Sequence, residues 1–421
     1  MTLRIAKILF LFLVISLPIV RPFNVRLFNL LIPSTDFIFV FAFGFWLLAL
    51  LRGEARLRIS KFYVFLAFYA FALTISTIFS INPEQSFYKL LGEFYLISLC
   101  ILTFNLARTL DFIKRITQAW VIGTTLTVLA TVAGFFLFYI GYKAQDNNYF
   151  LYHYGTLPPG NYPRLQAFFV NANMMCNYLN ISLVLTVLAE KLNWLKITWT
   201  RALHFGICFA AFFAFSPGLG GLFLSFGVWL WANFYFEGRK SFAKCALYTG
   251  FFLALIFFAV TSISPDTANT TQDFNVPFFE QKFEPSVRVL IWQDSLETIR
   301  QYPLFGKGTG SGVASVEYTV ISGENQFLTD AHNIWLNILG QFGLFGLVAF
   351  VNLCAYLFWK CKFNLTDNSK RSFVQLSLSC AFLGAFCFQG LQGSFENARH
   401  LWVLFGLLAS FGTESFDEKV A

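Results

Sequence analysis

Apolar residues in this chain fall in long unbroken runs, separated by short polar connections. The runs lie near 5–20, 36–51, 62–80, 90–107, 116–140, 166–189, 202–216, 219–235, 245–263, 333–359, 372–390 and 398–412. A helix needs about 20 apolar residues to cross a bilayer, whereas a membrane-spanning β-barrel shows alternating segments of roughly 10. The continuous runs therefore predict an all-α, polytopic membrane protein with about twelve transmembrane helices. One connection is out of scale with the others, residues 264–331. Inside it, Ser286 is placed to cap a helix over 286–301, with Val289, Trp292, Leu296 and Ile299 at helical spacing on one face. The chain divides into helices one to nine (1–263), a large outward loop carrying this amphipathic helix (264–331), helices ten to twelve (332–412) and a tail (413–421).

Composition agrees with the pattern: 57% of residues are hydrophobic and 12% charged, with a mean hydropathy of +0.62, which excludes an ordinary soluble globule. The net charge of +8 raises nucleic acid as a partner, but the placement of the bases argues against it. Twenty of the 30 lysines and arginines fall on alternate connections with the two termini. The positive-inside rule then puts both termini in the cytoplasm and the 264–331 loop outside. That loop carries nine acids against four bases, so an anion bound there needs individually placed cations. The N-terminal run follows Arg4 and Lys7 as in a signal peptide, but no small-x-small cleavage pattern follows it, so it reads as a retained first span. The eight cysteines lie in spans or inner connections and are read as packing residues. The outer stretch that begins at Gly141 and is closed by Arg164, rich in Tyr, Pro and Gly, reads as an ordered interfacial loop.

Few residues are suited to chemistry. Pro303-Leu304-Phe305-Gly306-Lys307-Gly308-Thr309-Gly310-Ser311-Gly312 looks like a nucleotide loop, but its glycine spacing is wrong and no strand-helix unit surrounds it. It reads as a flexible turn. Arg164 stands at the entrance of the sixth span and Arg288 in the first turn of the amphipathic helix; a guanidinium's forked donors suit phosphate oxygens. His332 enters the tenth span, where an imidazole can take a hydroxyl proton near neutral pH, with Asp330 placed to cap the span or orient the ring. Glu396, Arg399 and His400 gather at the mouth of the twelfth span and read first as anchors. No metal-binding motif is found and no cofactor is called for.

Three stretches together resemble the O-antigen ligase and O-antigen polymerase superfamily of bacterial membrane proteins. Arg164 to Asn173 (RLQAFFVNAN) is similar to an arginine-led pattern ending in Asn-Pro-Asn. Arg288 to Gly312 (RVLIWQDSLETIRQYPLFGKGTGSG) resembles the arginine-bearing outer helix followed by Pro-Leu-x-Gly-x-Gly. Asp330 to Gly346 (DAHNIWLNILGQFGLFG) resembles a His-Asn helix start ending in Gly-Leu-x-Gly. Two departures stand out: Ala172 replaces a usual Pro, and Ser216-Pro217-Gly218 replaces a common Ser-Arg-Gly. The resemblance implies a metal-independent, inverting glycosyltransferase of the inner membrane, active on its periplasmic face. Arg164 and Arg288 would bind the diphosphate of a polyprenyl-diphosphate-linked glycan donor, and His332 would activate an acceptor hydroxyl of lipid A-core type. Asp330, Asn333 and Arg399 are candidate supporting residues. A polymerase joining lipid-linked repeat units is the alternative; a protein O-oligosaccharyltransferase or a lipid-linked glycan transporter fits less well, since charges gather at membrane edges and no half-chain repeat is found.

Overall fold

A computed structural model describes residues 1–21, 24–27, 30–140, 163–261, 274–275, 282–283, 288–319, 325–361 and 369–411. The Ser286 cap, residues 141–162 of the outer stretch and the 413–421 tail lie outside the described residues. Each expected span falls on a helix: Thr2–Ser16 (α1), Ser34–Leu51 (α2), Phe62–Ile78 (α3), Pro83–Leu106 (α4), Leu110–Tyr139 (α5), Ala172–Lys191 (α6), Ile197–Phe213 (α7), Leu219–Phe236 (α8), Lys240–Thr261 (α9), Ile334–Lys360 (α11), Lys370–Ala381 (α12) and Arg399–Ser410 (α13). The helix of the large loop is Arg288–Gln301 (α10). Seven of the described helical segments are long and apolar enough to cross a membrane by length and composition. The structure is an all-α polytopic bundle with short antiparallel hairpins in its connections, one pairing Val316–Thr319 with Asn325–Leu328.

Two helices form the centre. Almost every residue of α6 and of α13 is buried, the polar Asn177, Asn180, Ser182 and Thr186 of α6 among them. Around them α1 packs on α2 and α5, α3 on α11, α4 on α13, and α8 on α9. Aromatic residues knit these contacts. Trp120 of α5 stacks on Tyr178 of α6 at 5.3 Å and donates to Ser182 Oγ at 2.9 Å, satisfying its one polar atom away from water.

The bundle has two distinct ends. At one, the N-terminal amine meets Glu54 at 2.9 Å and Arg58 donates to the carbonyls of Phe104 and Ser410. At the other lie the starts of α2, α4, α6, α11 and α13, together with α10. The candidate site residues all belong to this second end.

Three departures from the expected elements shape that end. First, α6 begins at Ala172, six residues later than its apolar run. The segment before it is extended, Leu165 bonding to the Phe213 carbonyl at 2.9 Å, and Ala167 takes a positive φ of 47°. Asn171 then caps the helix by accepting from the Met174 N–H at 2.8 Å. Ala172 is thus the first helical residue, a position where proline and alanine are both tolerated.

Second, the buried side of α10 is turned from the expected face. Ile291 and Ser295 are buried, while Leu296 is 47% exposed. The helix lies against α11, and a small residue at 295 lets the backbones approach.

Third, the Pro303–Gly312 segment is docked, not a free turn. Helix α11 is interrupted at Gly343, where φ is 65° and ψ is −168°, a region that only glycine occupies readily. The interruption exposes backbone groups that the segment takes up. Leu344 and Phe345 donate to the carbonyls of Pro303 and Leu304 at 2.8 and 3.1 Å, and Lys307 and Gly308 donate to those of Gly340 and Gln341 at 2.9 and 3.0 Å. A Cβ on Gly306 would overlap the Gln341 backbone, and one on Gly343 the Leu304 carbonyl. The glycines therefore serve a backbone-to-backbone seam between the loop and a broken helix.

Candidate active site

The site is built on four consecutive residues, Asp330-Ala331-His332-Asn333, that turn the chain into α11. Asp330 Oδ1 accepts the His332 N–H at 2.7 Å, an aspartate-initiated turn. It places His332 in the left-handed region at φ 49°, a sparsely populated conformation for a non-glycine residue and one enriched at functional sites. Asn333 caps α11, its Oδ1 accepting from Trp335 and Leu336 at 2.9 and 3.2 Å, while its Nδ2 donates to the Leu391 carbonyl at 3.2 Å. Helix α10 braces the turn from the side, where Trp292 Nε1 donates to the Ala331 carbonyl at 3.0 Å.

His332 is half-buried, with its Nδ1 3.8 Å from Asp330 Oδ1. Burial lowers the imidazole pKa; the Asp330 carboxylate raises it, and the Arg288 and Arg164 guanidiniums lower it further. Both arginines are thus close enough to act on the ring, although they come from segments 124 residues apart in the sequence. Arg288 is itself held at about 10, by burial first and then by the neighbouring Arg164 charge. The two guanidiniums thus add positive charge around the ring, Arg288 from a loop that is acidic overall and Arg164 from the segment before α6.

Arg164 is held by its own motif. Its Nη2 donates to Asn173 Oδ1 at 3.1 Å, joining the first and last residues of the expected RLQAFFVNAN stretch, and its Nε donates to the Ala214 carbonyl at 3.1 Å. That carbonyl leads directly into Ser216-Pro217-Gly218, so the turn that lacks an arginine in this chain adjoins Arg164. Gly218 N–H bonds Ser216 Oγ at 3.1 Å, and Gln389 donates to the Gly218 carbonyl.

Arg399 and His400, read first as anchors at the mouth of the twelfth span, are each bonded to another helix. Arg399 makes a forked pair with Asp36 at the start of α2, Nε and Nη2 each 2.7 Å from a carboxylate oxygen, and lies over the Tyr95 ring at 5.6 Å. Its charge is committed to tying α13 to α2. Arg399→Lys keeps the charge but loses the fork, and is expected to cost about 1.5–3 kcal/mol, read as a lower melting temperature of the purified protein. His400 is buried, its Nε2 2.7 Å from Asn177 Oδ1 of α6, a bond between the two central helices.

Asn337 and Ser394, not singled out from the sequence, complete the site together with Glu396. Asn337, one turn into α11, donates through Nδ2 to Asp330 Oδ1 at 3.0 Å, Ser394 Oγ at 2.7 Å and Glu396 Oε1 at 2.9 Å, and its Oδ1 accepts from the Ala331 N–H at 3.0 Å. Ser394 Oγ also donates to Asp330. Two carboxyl groups thus share one amide below the histidine. Burial, with the Asp330 charge adding to it, pushes the Glu396 carboxyl up to about 8. The available signal for Asn337 was a lone amide four residues after Asn333, on the same face of an otherwise apolar helix.

Residues 182–351 match the family model described as O-antigen ligase. The match runs from within α6 through the first two thirds of α11, taking in Arg288, Asp330, His332, Asn333 and Asn337. No curated protein matches the chain. The family match supports the O-antigen ligase and polymerase superfamily, and with the apolar helices it supports a bacterial membrane protein of glycan ligase or polymerase type.

Proposed function

From the match of residues 182–351 to the O-antigen ligase family model, we propose that the protein transfers a glycan from a polyprenyl-diphosphate carrier to an acceptor hydroxyl of lipid A-core type, on the periplasmic face of the inner membrane. The observation that carries this reading is that Arg288 opens helix α10, which Trp292 ties to the Ala331 carbonyl beside His332, and that, beyond burial, the charges of Arg288 and Arg164 both lower the pKa of that imidazole. The guanidiniums hold the diphosphate and offset the charge that develops as the anomeric C–O bond breaks. His332, neutral because burial and two cations disfavour its charged form, takes the acceptor proton as the acceptor oxygen bonds the anomeric carbon. The proton passes to solvent or to the departing diphosphate. Attack from the face opposite the leaving group gives inversion. Asp330 lies 3.8 Å from Nδ1, which leaves Nε2 for the substrate.

Purified protein in liposomes, given a polyprenyl-diphosphate-linked repeat unit and lipid A-core, is expected to yield a capped lipid that is absent without the core. Chain lengthening with donor alone assigns the polymerase reaction instead, and no product in either mixture rejects transfer. The reading also fixes the pH dependence. The base works deprotonated and its pKa is lowered, so the acid limb of kcat/KM is expected below the ordinary histidine value of about 6.5. Removing a nearby cation relieves part of that depression. Arg164→Gln should therefore move the acid limb upward while lowering the rate, and an unmoved limb separates Arg164 from His332.

A further inference from the structure

A cavity of about 700 Å³ lies between α2, α4, the Gly310–Gly312 segment and the 396–399 turn. It does not include His332, Arg164 or Arg288; Asp330 and Asn337 are the wall it shares with their site. Its polar half is acidic. Asp36 is neutralised by Arg399, leaving Lys89 against Glu93, Asp330 and Glu396. Glu93 and Glu396 are 6% and 8% exposed, and each keeps a buried carboxyl oxygen, Oε2, without a hydrogen-bond partner among the described residues. Such oxygens carry a desolvation cost until a donor reaches them. The other half is apolar, walled by Phe39, Val40, Leu91 and Leu96, and Val40 and Leu91 are 63% and 49% exposed on the outside of the bundle. A pocket of this size takes a ligand of about two or three sugar rings.

We infer that this cavity is the acceptor subsite, binding the uncharged sugar end of an amphiphilic acceptor whose hydrocarbon lies between α2 and α4. The assignment rests on the transfer reading above and adds where the second substrate sits. Arg399 is paired with Asp36, so the cavity offers a diphosphate no guanidinium pair and leaves it to Arg164 and Arg288, while its carboxyl, amide and carbonyl groups suit ligand hydroxyls. Tyr88 and Tyr95 add aromatic surface to the lining. The shared wall brings a hydroxyl bound here to the Asp330 side of His332, so the two substrates reach the base from differently charged compartments.

Gly92 supplies the test. It lines the cavity, and the space its Cβ would fill is open, so Gly92→Leu fills the pocket and suits helix α4 better than glycine. Wild type, Gly92→Leu, Glu93→Gln and Arg288→Lys in nanodiscs are titrated calorimetrically with maltotriose and chitotriose. Binding by wild type and Arg288→Lys, weakened at least tenfold in Gly92→Leu and reduced in Glu93→Gln, supports the subsite. Equal binding in wild type and Gly92→Leu, or no binding by wild type to either sugar, overturns it. In transfer assays Gly92→Leu is expected to raise the acceptor KM at least tenfold with the donor KM unchanged. Arg288→Lys should do the reverse, and an unchanged acceptor KM in Gly92→Leu also overturns the assignment. The titrations read sugar binding without turnover, so failure of the transfer chemistry and failure of the subsite give separate results.

Discussion

His332→Ala is expected to lower glycan transfer by a factor of about 10² to 10⁴, the range a positioned general base contributes, in protein that still inserts and folds. The local backbone makes the test cleaner than alanine alone allows. His332 occupies the left-handed region at φ 49°, where asparagine and glycine are better accommodated than alanine. His332→Asn and His332→Gly should thus lose transfer as fully as His332→Ala while melting no lower than wild type. The Asp330 carboxylate that accepts the His332 N–H bonds the backbone, so the turn survives each change. Transfer near the wild-type rate in His332→Asn would remove the base role. A large loss of stability in His332→Gly would show instead that the ring serves the fold.

Gly343→Ala is expected to be the most destabilising single change at this end of the bundle, by at least about 3 kcal/mol, because it joins two costs. The residue adopts φ 65° and ψ −168°, which a side chain resists by about 1–3 kcal/mol. Its new methyl group would also overlap the Leu304 carbonyl, as in an overpacked core. Relief requires the Pro303–Gly308 segment to leave α11, giving up four backbone hydrogen bonds. Helix α10, joined to that segment, would carry Trp292 away from Ala331 and Arg288 away from His332. Melting temperature in detergent and proteolysis between 302 and 312 report the change, and a normal melt with an intact loop would refute the docked seam. Transfer should fall with it even though Gly343 touches no substrate group.

The arginines and the histidine were legible as types. A guanidinium at a span entrance and a histidine at a helix start are few in so apolar a chain, and the resemblance grouped them. The cap of α11, expected at Asp330, falls instead on Asn333, whose side chain satisfies N–H groups within three residues of itself, while Asp330 accepts the His332 N–H. Arg399 was legible as a charge at the right end of the bundle but not as the partner of Asp36, which is 363 residues away in sequence. Its fork closes on the start of the second helix, and no local pattern reports that pairing.

By itself, then, the sequence determined the helices, their order and the alternation of basic connections, because burial of backbone polar groups in an apolar medium leaves a helix as the answer for each run. It also determined the turn Asp330-Ala331-His332-Asn333, which rests on bonds between near neighbours. Tertiary structure alone decided the late start of α6 that lets Arg164 reach Asn173, the break in α11 that receives the glycine-rich segment, and the meeting of Asp330 with Glu396 through Asn337. Each of these depends on a contact between distant segments that overrides a local preference: apolar periodicity favours continuing both helices, and like-charged carboxyl groups favour separation. Packing supplies the partner that reverses the preference, and that partner lies elsewhere in the chain.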